Sequence, residues 1–202
     1  MSKPNVANRL EILQVEDRQS SREWLVRNHG TSPGVWLIIH KKGSSGKRVT
    51  IDDAVEEALC FGWISSRPNV LDDESYKLML TPRRPRSVWS RPNKLRVERL
   101  MKQGLMTRAG LEKIEAAKMD GSWSRLDAIE ELVIPEDFKK ALATDVDAQG
   151  NFEAFSKTAK KQMLWWIESA KTQQTRLKRI EQAVSIASRN KKANPFPKWR
   201  SS

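Results

Sequence analysis

The stretch TIDDAVEEALCFGWISS, residues 50–66, decides the fold of the first half of the chain, because a complete helix signature runs directly into a turn. Thr50 is suited to cap a helix, and Asp53 three residues later completes a capping-box pattern. Apolar residues recur at helical spacing along the segment, at Ile51, Ala54, Val55, Ala58 and Leu59. Gly62 is placed to end the helix. The stretch therefore predicts a helix with one buried face, followed by an aromatic cluster around the only cysteine.

The segments on both sides of this helix predict a small sheet. Residues 35–42, VWLIIHKK, are rich in β-branched and aromatic residues and are bounded by turn residues, which is typical of a strand. A second strand is predicted over residues 76–80, YKLML, ended by Pro82. A helix is expected to start after the Ser20-Ser21 pair and to stop at Gly30. This order predicts an α+β fold with a small N-terminal unit and a short antiparallel sheet.

From Ser87 the sequence becomes helical in character. Helix starts are predicted at Ser90, Thr107 and Pro135, and two long amphipathic helices are predicted over residues 151–171 and 175–190. We expect four segments: a tail and lead-in at 1–19, the α+β unit at 20–86, a mostly helical C-terminal part at 87–190 packed on it, and a basic tail at 191–202.

The composition narrows the class of protein. The chain has 202 residues, 37 Lys and Arg against 25 Asp and Glu, and a formal net charge of +12, so partners that carry phosphate or other anionic groups are favoured. No run reaches the ~20 apolar residues of a membrane helix, and the N-terminus lacks the apolar region of a secretion signal. A single cysteine excludes an internal disulfide and a zinc site built from cysteines. We expect a cytoplasmic protein.

Two groups of residues are weak candidates for catalysis. Cys60 lies beside the apolar stripe of its helix, and the only histidines, His29 and His40, are distant in sequence. A structural cysteine is therefore favoured over a reactive one. The acidic run at residues 72–74 suits cation binding or acid–base chemistry, but a turn before a strand explains it better. No nucleotide-binding, hydrolase or metalloprotease motif is present, so we predict neither a metal site nor a cofactor.

The segment YKLMLTPRRPRSVWSRPNKLR, residues 76–96, carries the strongest functional signal. It contains seven cationic residues, no acidic residue and two interleaved aromatic rings, Tyr76 and Trp89. The cations are Lys77, Arg83, Arg84, Arg86, Arg91, Lys94 and Arg96. This pattern suits a phosphate-binding strip with stacking partners. A connection that arginines hold rigid through backbone carbonyl contacts is the alternative, and the sequence leaves both open.

Several motifs, taken in order, resemble a known bacterial family. GVWLIIHKK, EALCFGWISS, DDESYKLMLTPRRPRSVWS, RVERLMKQGLMTRAGLEKIEAAKMDGSW and LWWIESAKTQQTRLKRIEQAV resemble the YdeI/OmpD-associated, bacteriocin-protection family, from about Ser21 to Asn190. The resemblance implies a link to tolerance of antimicrobial peptides and to an outer-membrane porin, and it assigns no catalytic residue. The family pattern commonly reads ALCFGWID, whereas this chain has Ser65 at the acidic position.

Together these observations predict a binding module for a small anionic or phosphate-bearing ligand, in a stress or antimicrobial-peptide tolerance context. A nucleic-acid-associated basic protein and an uncharacterised enzyme are the alternatives, and a binding role is favoured over catalysis. The candidate ligand-binding residues are Trp63, Arg83, Arg84, Arg86, Ser87 and Trp89.

Overall fold

The computed structural model describes residues 10–41, 49–66 and 68–190. Along the chain the elements are β1 (Glu11–Leu13), α1 (Arg18–Asn28), β2 (Val35–His40), α2 (Ile51–Cys60), β3 (Trp63–Ser65), β4 (Asn69–Val70), β5 (Ser75–Pro82), α3 (Arg91–Lys102), α4 (Arg108–Met119), α5 (Asp127–Glu130), α6 (Glu136–Ala143), α7 (Val146–Ala154), α8 (Lys157–Glu168) and α9 (Gln173–Ser188). They form two compact units, of which the first extends to Ser124 and the second begins at Arg125. Within the described ranges, no helix combines the length and the apolar character needed to cross a bilayer.

The first unit is built on a mixed five-stranded sheet with the order β1-β2-β5-β3, in which β4 also pairs with β5. Strands β2 and β5 are antiparallel, with Val35 opposite Leu80 and Leu37 opposite Leu78, and all four residues are buried. Strand β1 runs parallel to β2 and adds an edge that the expected antiparallel sheet lacked. The predicted α+β class, with a small sheet and a mostly helical C-terminal part, is confirmed.

Helix α2 forms as its sequence predicts. The Thr50 hydroxyl accepts a hydrogen bond from the Asp53 N–H at 3.0 Å, and the Asp53 carboxylate accepts one from the Thr50 N–H at 3.2 Å. This reciprocal pair satisfies two of the N–H groups that a helix start leaves open. The helix ends at Cys60, and Gly62 follows with a φ of 72°.

Helix α1 begins earlier than predicted, because the cap is Asp17 and not a serine. The Asp17 carboxylate accepts hydrogen bonds from the Ser20 N–H and the Ser20 hydroxyl, both at 2.8 Å. The expected start after Ser20-Ser21 is therefore wrong. An aspartate is an equally good N-cap, and here it lies three residues upstream, so the helix begins at Arg18.

Helices α3 and α4 belong to the first unit, so the change of sequence character at Ser87 falls inside that unit. Ser90 precedes α3, and Pro92 lies in its first turn. The Thr107 hydroxyl caps α4 by accepting from the Gly110 N–H, and it also donates to the Cys60 carbonyl at 2.6 Å. A Cβ atom at Gly110 would lie 2.3 Å from that same carbonyl oxygen. The start of α4 is thus docked directly on the end of α2.

In the second unit, the single helix predicted over residues 151–171 is wrong, because this segment forms two helices. Helix α7 ends at Ala154, Phe155 has an extended ψ of 147°, and the Ser156 hydroxyl caps α8 by accepting from the Ala159 N–H. Helical spacing of the apolar residues continues across the break, so periodicity alone does not reveal it. Phe138 and Phe152 pack edge to face at 5.3 Å in the core of this unit.

Candidate anion site

Gly62, which follows the end of α2, contacts both the segment that leaves β5 and helix α4. The Arg83 N–H, just after β5, donates to the Gly62 carbonyl at 3.0 Å. Gly62 also lies against α4, where a Cβ atom would meet Lys113 Cγ at 2.6 Å and the Ala109 carbonyl oxygen at 2.9 Å. With its positive φ and this close approach, position 62 requires glycine. It thereby allows α4 to lie beside the segment that leaves β5.

Arg83 is the centre of the site, and it is only 3% exposed. Its guanidinium carbon lies 3.7 Å from the centroid of the Trp89 ring, which is itself buried. The Nη1 group donates to the Ser87 hydroxyl at 3.1 Å and to the carbonyls of Ser87 and Val88 at 3.4 and 3.2 Å. The guanidinium is therefore oriented by stacking on one side and by a turn on the other.

The charge of Arg83 is not balanced by any described residue. Its Nε and Nη2 atoms are buried and have no hydrogen-bond partner, and no described carboxylate lies within ion-pair distance of the guanidinium. Burial lowers the pKa of Arg83 to about 10, so the side chain remains a cation at neutral pH. Burying a charge without a counter-ion costs folding free energy, so Arg83 reduces the stability of the first unit when no anion is bound.

The turn after Arg83 covers the site. The Ser87 N–H closes the turn on the Arg84 carbonyl at 3.3 Å. Arg86 has a φ of 60°, a left-handed conformation that is strained for a residue other than glycine. Its N–H donates to Asp120 Oδ2 at 3.2 Å, and the Ser122 N–H donates to Asp120 Oδ1 at 2.9 Å. Hydrogen bonds from Ser122 and then from Arg86 hold the pKa of Asp120 below its ordinary value, so this carboxylate is ionised at neutral pH.

A small cavity lies between the turn and α4. Its volume is about 80 Å³, and its lining includes five of the six candidate residues. The lining residues are Arg83, Arg84, Pro85, Arg86, Ser87, Trp89, Lys113, Ala116, Ala117, Asp120 and Ser122. About 10–15 Å³ of such space admits one water, so the cavity has room for a group of a few non-hydrogen atoms. It is far smaller than the roughly 300–1,000 Å³ of a site for a whole drug-sized molecule.

The sixth candidate, Trp63, does not line the cavity. It is 1% exposed and belongs to the core, where its indole N–H donates to the His29 carbonyl at 3.2 Å and its ring meets Trp24 edge to face at 5.9 Å. The buried ring of Trp89 packs against the Arg83 guanidinium, so it has no exposed face on which a ligand could stack. Local sequence did not reveal these roles, because burial of an aromatic ring depends on which distant elements cover it.

Residues 13–113, half of the chain, match the model of a domain of unknown function, DUF8412. The chain belongs to the DUF8412 family. Residues 131–190 match the family described as "Bacteriocin-protection, YdeI or OmpD-Associated", which confirms the resemblance for that segment. The first three motifs, including EALCFGWISS, lie in the DUF8412 segment, and the fourth begins in that segment and extends beyond it. No curated protein and no solved structure matches the chain significantly.

Most of the residues that line the cavity belong to the DUF8412 segment, and the end of α4 and the turn after it provide the others. Lys113 is the last residue of the matched segment, while Asp120 and Ser122 follow it. Sequence reasoning missed Lys113 and Asp120, because Lys113 lies in α4 and Asp120 directly follows it, so both come after the basic strip has ended in α3. The Asp120-Gly121 pair is typical of a turn, yet nothing in it indicates that the turn would meet Arg86.

A second arginine cluster in the DUF8412 segment is internally neutralised. Glu57 is only 2% exposed, and its two carboxylate oxygens accept from Arg18 Nε at 2.6 Å and from Arg22 Nη1 at 2.8 Å. Glu56 accepts from Arg18 at 3.0 Å and from Arg99. Desolvation is the largest single effect on Arg22 and lowers its pKa, but the hydrogen bond to Glu57, the charge of that carboxylate and smaller contributions from Cys60 together outweigh it, so the pKa is raised. This network joins α1, α2 and α3.

Neither catalytic candidate has the surroundings of a reactive group. Cys60 is fully buried, and burial raises the pKa of its thiol to about 11, with a further contribution from the charge of Glu57. A thiol with this pKa is not a nucleophile at neutral pH. Asp72 accepts from the Glu74 N–H at 2.8 Å and from the Ser75 hydroxyl at 2.7 Å, as a turn residue does. Among the described residues, no group of three or more metal-ligating side chains is assembled.

A larger groove in the second unit lacks the features of the first. Its volume is about 520 Å³, and it is lined by residues of α6 and α9 together with Thr144, Asp145 and Arg189. None of its lining residues carries a buried polar side-chain atom without a partner. We therefore take the Arg83 cavity as the candidate site.

Proposed function

We propose that the first unit binds a small anion, or the anionic end group of a larger molecule, at Arg83. The observation that supports this proposal is the buried guanidinium with two unpaired nitrogen atoms beside a cavity. An anion from outside would supply the counter-charge and the acceptors that the described protein atoms do not provide. The exposed arginines of the turn, Arg84 and Arg86, would attract the anion from solvent.

Binding requires the turn to move slightly, because the free nitrogen atoms of Arg83 are out of contact with solvent. Arg86 is in a strained conformation at the centre of that turn, and backbone strain of this kind is worth about 1–3 kcal/mol. A shift of the turn that relaxes Arg86 would open the cavity toward Arg83. The strain at Arg86 therefore favours a change in the conformation of the turn when a ligand binds.

The biological context is also part of the proposal. The match of residues 131–190 to a family described as bacteriocin-protection supports a role in the tolerance of antimicrobial peptides. In that role the first unit would be the ligand-binding part of the protein.

The test measures thermal denaturation of the full chain in sodium chloride at constant ionic strength, with part of the chloride replaced by acetate or by phosphate. We expect one of these anions to raise the denaturation midpoint in a saturable way, because a ligand that binds only the folded state stabilises it. Arg83→Lys is expected to abolish the increase. Arg91→Lys, the same change at an exposed arginine outside the cavity, is the matched control and is expected to retain it.

Two results would overturn the proposal. One is an equal response in the wild type and in Arg83→Lys, because the anions would then act on the protein surface in general. The other is no response at all. Ala116→Leu covers the case in which Arg83→Lys fails to fold, because Ala116 is an exposed helical residue whose enlargement would fill the cavity without changing Arg83.

A further inference from the structure

The buried polar atoms that lack a partner are concentrated in one place. Within the parts of the chain that the structure describes, four buried side-chain nitrogen or oxygen atoms have no hydrogen-bond partner. Three of them, Nε and Nη2 of Arg83 and Oγ of Ser122, belong to residues that line the same cavity. An unpaired buried polar group costs folding free energy, and such groups are few in native proteins. Their concentration at one cavity indicates a shared partner.

The position of Ser122 is fixed by its backbone, whereas its hydroxyl is free to bind. Ser122 is 3% exposed, as Arg83 is. Gly121 follows α4 with a φ of 77°, and the Ser122 N–H donates to Asp120 Oδ1 at 2.9 Å. The Ser122 hydroxyl meets no acceptor of the described residues with hydrogen-bond geometry. The turn after α4 therefore holds a donor at the cavity that the described protein atoms do not use.

Stacked aromatic rings connect this turn to Arg83. The ring of Trp123, the residue after Ser122, lies 5.0 Å from the ring of Trp89, and the Trp89 ring lies 3.7 Å from the Arg83 guanidinium. The Trp123 N–H donates to the Ala117 carbonyl at 3.0 Å, which ties the turn to α4. Packing of these rings thus holds the turn after α4 and the turn after β5 beside the same cavity.

The three donors suit the oxygen atoms of one anion. Nε and Nη2 lie on the same edge of the guanidinium plane, and this planar fork matches two oxygen atoms of an oxyanion. A serine hydroxyl is a single donor that rotates to suit its acceptor. A carboxylate and a phosphate group both have enough acceptor positions for three donors. The chemistry that the donors share is therefore recognition of an oxyanion.

We infer that Ser122 is a second ligand-binding residue of the Arg83 site, and that its hydroxyl donates to the same oxyanion that Nε and Nη2 of Arg83 bind. This inference rests on the proposed function and adds a contact from a different element of the first unit. The bound anion would join the turn after β5 to the turn after α4, and it would satisfy three buried donors at once.

The test measures thermal denaturation of the full chain and of Ser122→Ala at constant ionic strength, without and with increasing acetate or inorganic phosphate. Without these anions, we expect Ser122→Ala to match or exceed the wild-type midpoint, because the substitution removes an unpaired buried group. With the anion that binds, we expect a smaller increase in the midpoint and an apparent dissociation constant about tenfold higher, because a hydrogen bond to a charged group is lost. A purely structural serine would not give this combination.

Ser75→Ala is the matched control. Ser75 is also 3% exposed and does not line the cavity, and its hydroxyl donates to Asp72 at 2.7 Å. We expect this variant to have a lower midpoint without anions, because it loses a hydrogen bond within the fold, and to bind the anion with wild-type affinity.

Each outcome decides a different point. The expected pattern with acetate or with phosphate supports the inference, and the anion that produces it identifies the class of oxyanion. Wild-type affinity in Ser122→Ala, together with loss of binding in Arg83→Lys, would overturn the inference and leave the proposed anion site standing. A midpoint of Ser122→Ala as low as that of Ser75→Ala without anions would also overturn it, because the hydroxyl would then be paired within the fold. Absence of binding that depends on Arg83 would overturn both proposals. If Arg83→Lys does not fold, Ala116→Leu takes its place.

Discussion

Arg22 and Arg83 both lie over an aromatic ring of the first unit, but only one of them has its charge balanced inside the protein. The Arg22 guanidinium lies 5.4 Å from the Phe61 ring and forms an ion pair with Glu57 at 2.8 Å. The Arg83 guanidinium lies 3.7 Å from the Trp89 ring and has no carboxylate partner among the described residues. The pKa of Arg22 is raised, and that of Arg83 is lowered.

The comparison teaches how to separate a structural arginine from a binding arginine. A buried cation that is paired within the fold contributes to holding elements together, as Arg22 does between α1 and α2. A buried cation that is unpaired reduces stability unless a ligand pairs with it. Sequence composition does not distinguish the two, because both are arginines in basic segments near aromatic residues.

The largest expected effect is the loss of the internal pair. Glu57→Gln would remove the negative charge that Arg18 and Arg22 share, so we expect the free energy of unfolding to fall by about 3 kcal/mol, measured by urea denaturation. Glu112→Gln is the control, because that residue is exposed and pairs with the exposed Arg108; its loss should stay below about 0.5 kcal/mol. Similar values for the two variants would contradict the structural role of the Glu57 pair.

The next effect concerns the packing that positions the cavity wall. Gly110→Ala would place a Cβ atom 2.3 Å from the Cys60 carbonyl oxygen, so we expect a loss of about 2–3 kcal/mol and a weaker response to anions. Gly150→Ala is the matched control, because Gly150 is also in a helix and has open space around it; a gain of about 0.5–1 kcal/mol is expected. Chemical denaturation measures both, and a neutral Gly110→Ala would show that α4 is not held against α2 in this way.

The direct comparison of the two arginines uses the same change at each position. Arg22→Met leaves Glu57 with one fewer cation, so we expect a loss of about 2 kcal/mol. Arg83→Met breaks no ion pair with any residue that the structure describes, and relief of the buried charge offsets the lost hydrogen bonds to the turn, so the loss should stay below about 1 kcal/mol. Anion binding should disappear only in Arg83→Met. A larger loss of stability in Arg83→Met than in Arg22→Met would mean that Arg83 is primarily structural.

The smallest expected effect is a change in the pH dependence of stability, and it concerns an ion pair of the second unit. Arg176 pairs with Asp137 at 2.6 Å, and this hydrogen bond holds the pKa of Asp137 below its ordinary value of 3.8. Because the folded-state pKa is the lower one, the stabilisation is fully present above pH 3.8 and is lost as the pH falls through the folded-state value. Asp137→Asn should therefore flatten the decline in the thermal midpoint below about pH 4. An unchanged decline would show that other carboxylates control it.

Much of the secondary structure follows from local patterns. Thr50 and Asp53 satisfy each other over three residues, and apolar residues at helical spacing mark the buried face of α2, so a short stretch of sequence is sufficient to predict that helix. The same reasoning failed where two local signals competed. Asp17 replaced the predicted serine cap of α1, and the Ser156 cap divided a segment whose apolar spacing continued unbroken.

The candidate site was predictable only in part. The run of cations after β5 predicted Arg83, Arg84 and Arg86 as ligand-binding residues, and these three residues line one cavity. Which of them is buried was not predictable, because the burial of Arg83 depends on the Trp89 ring and on α4.

By itself the sequence determined the caps of α2 and α4, the helical stripe of α2, the strands β2 and β5 and the excess of positive charge, because each depends on residues close together in the chain or on composition alone. The tertiary structure decided which charges are balanced. Glu57 meets Arg22 from 35 residues away, and Asp120 meets Arg86 from 34 residues away. Such pairings depend on how α2 and α4 pack, so only the folded chain decides that Arg83 has no acidic partner within the part of the protein that the structure describes.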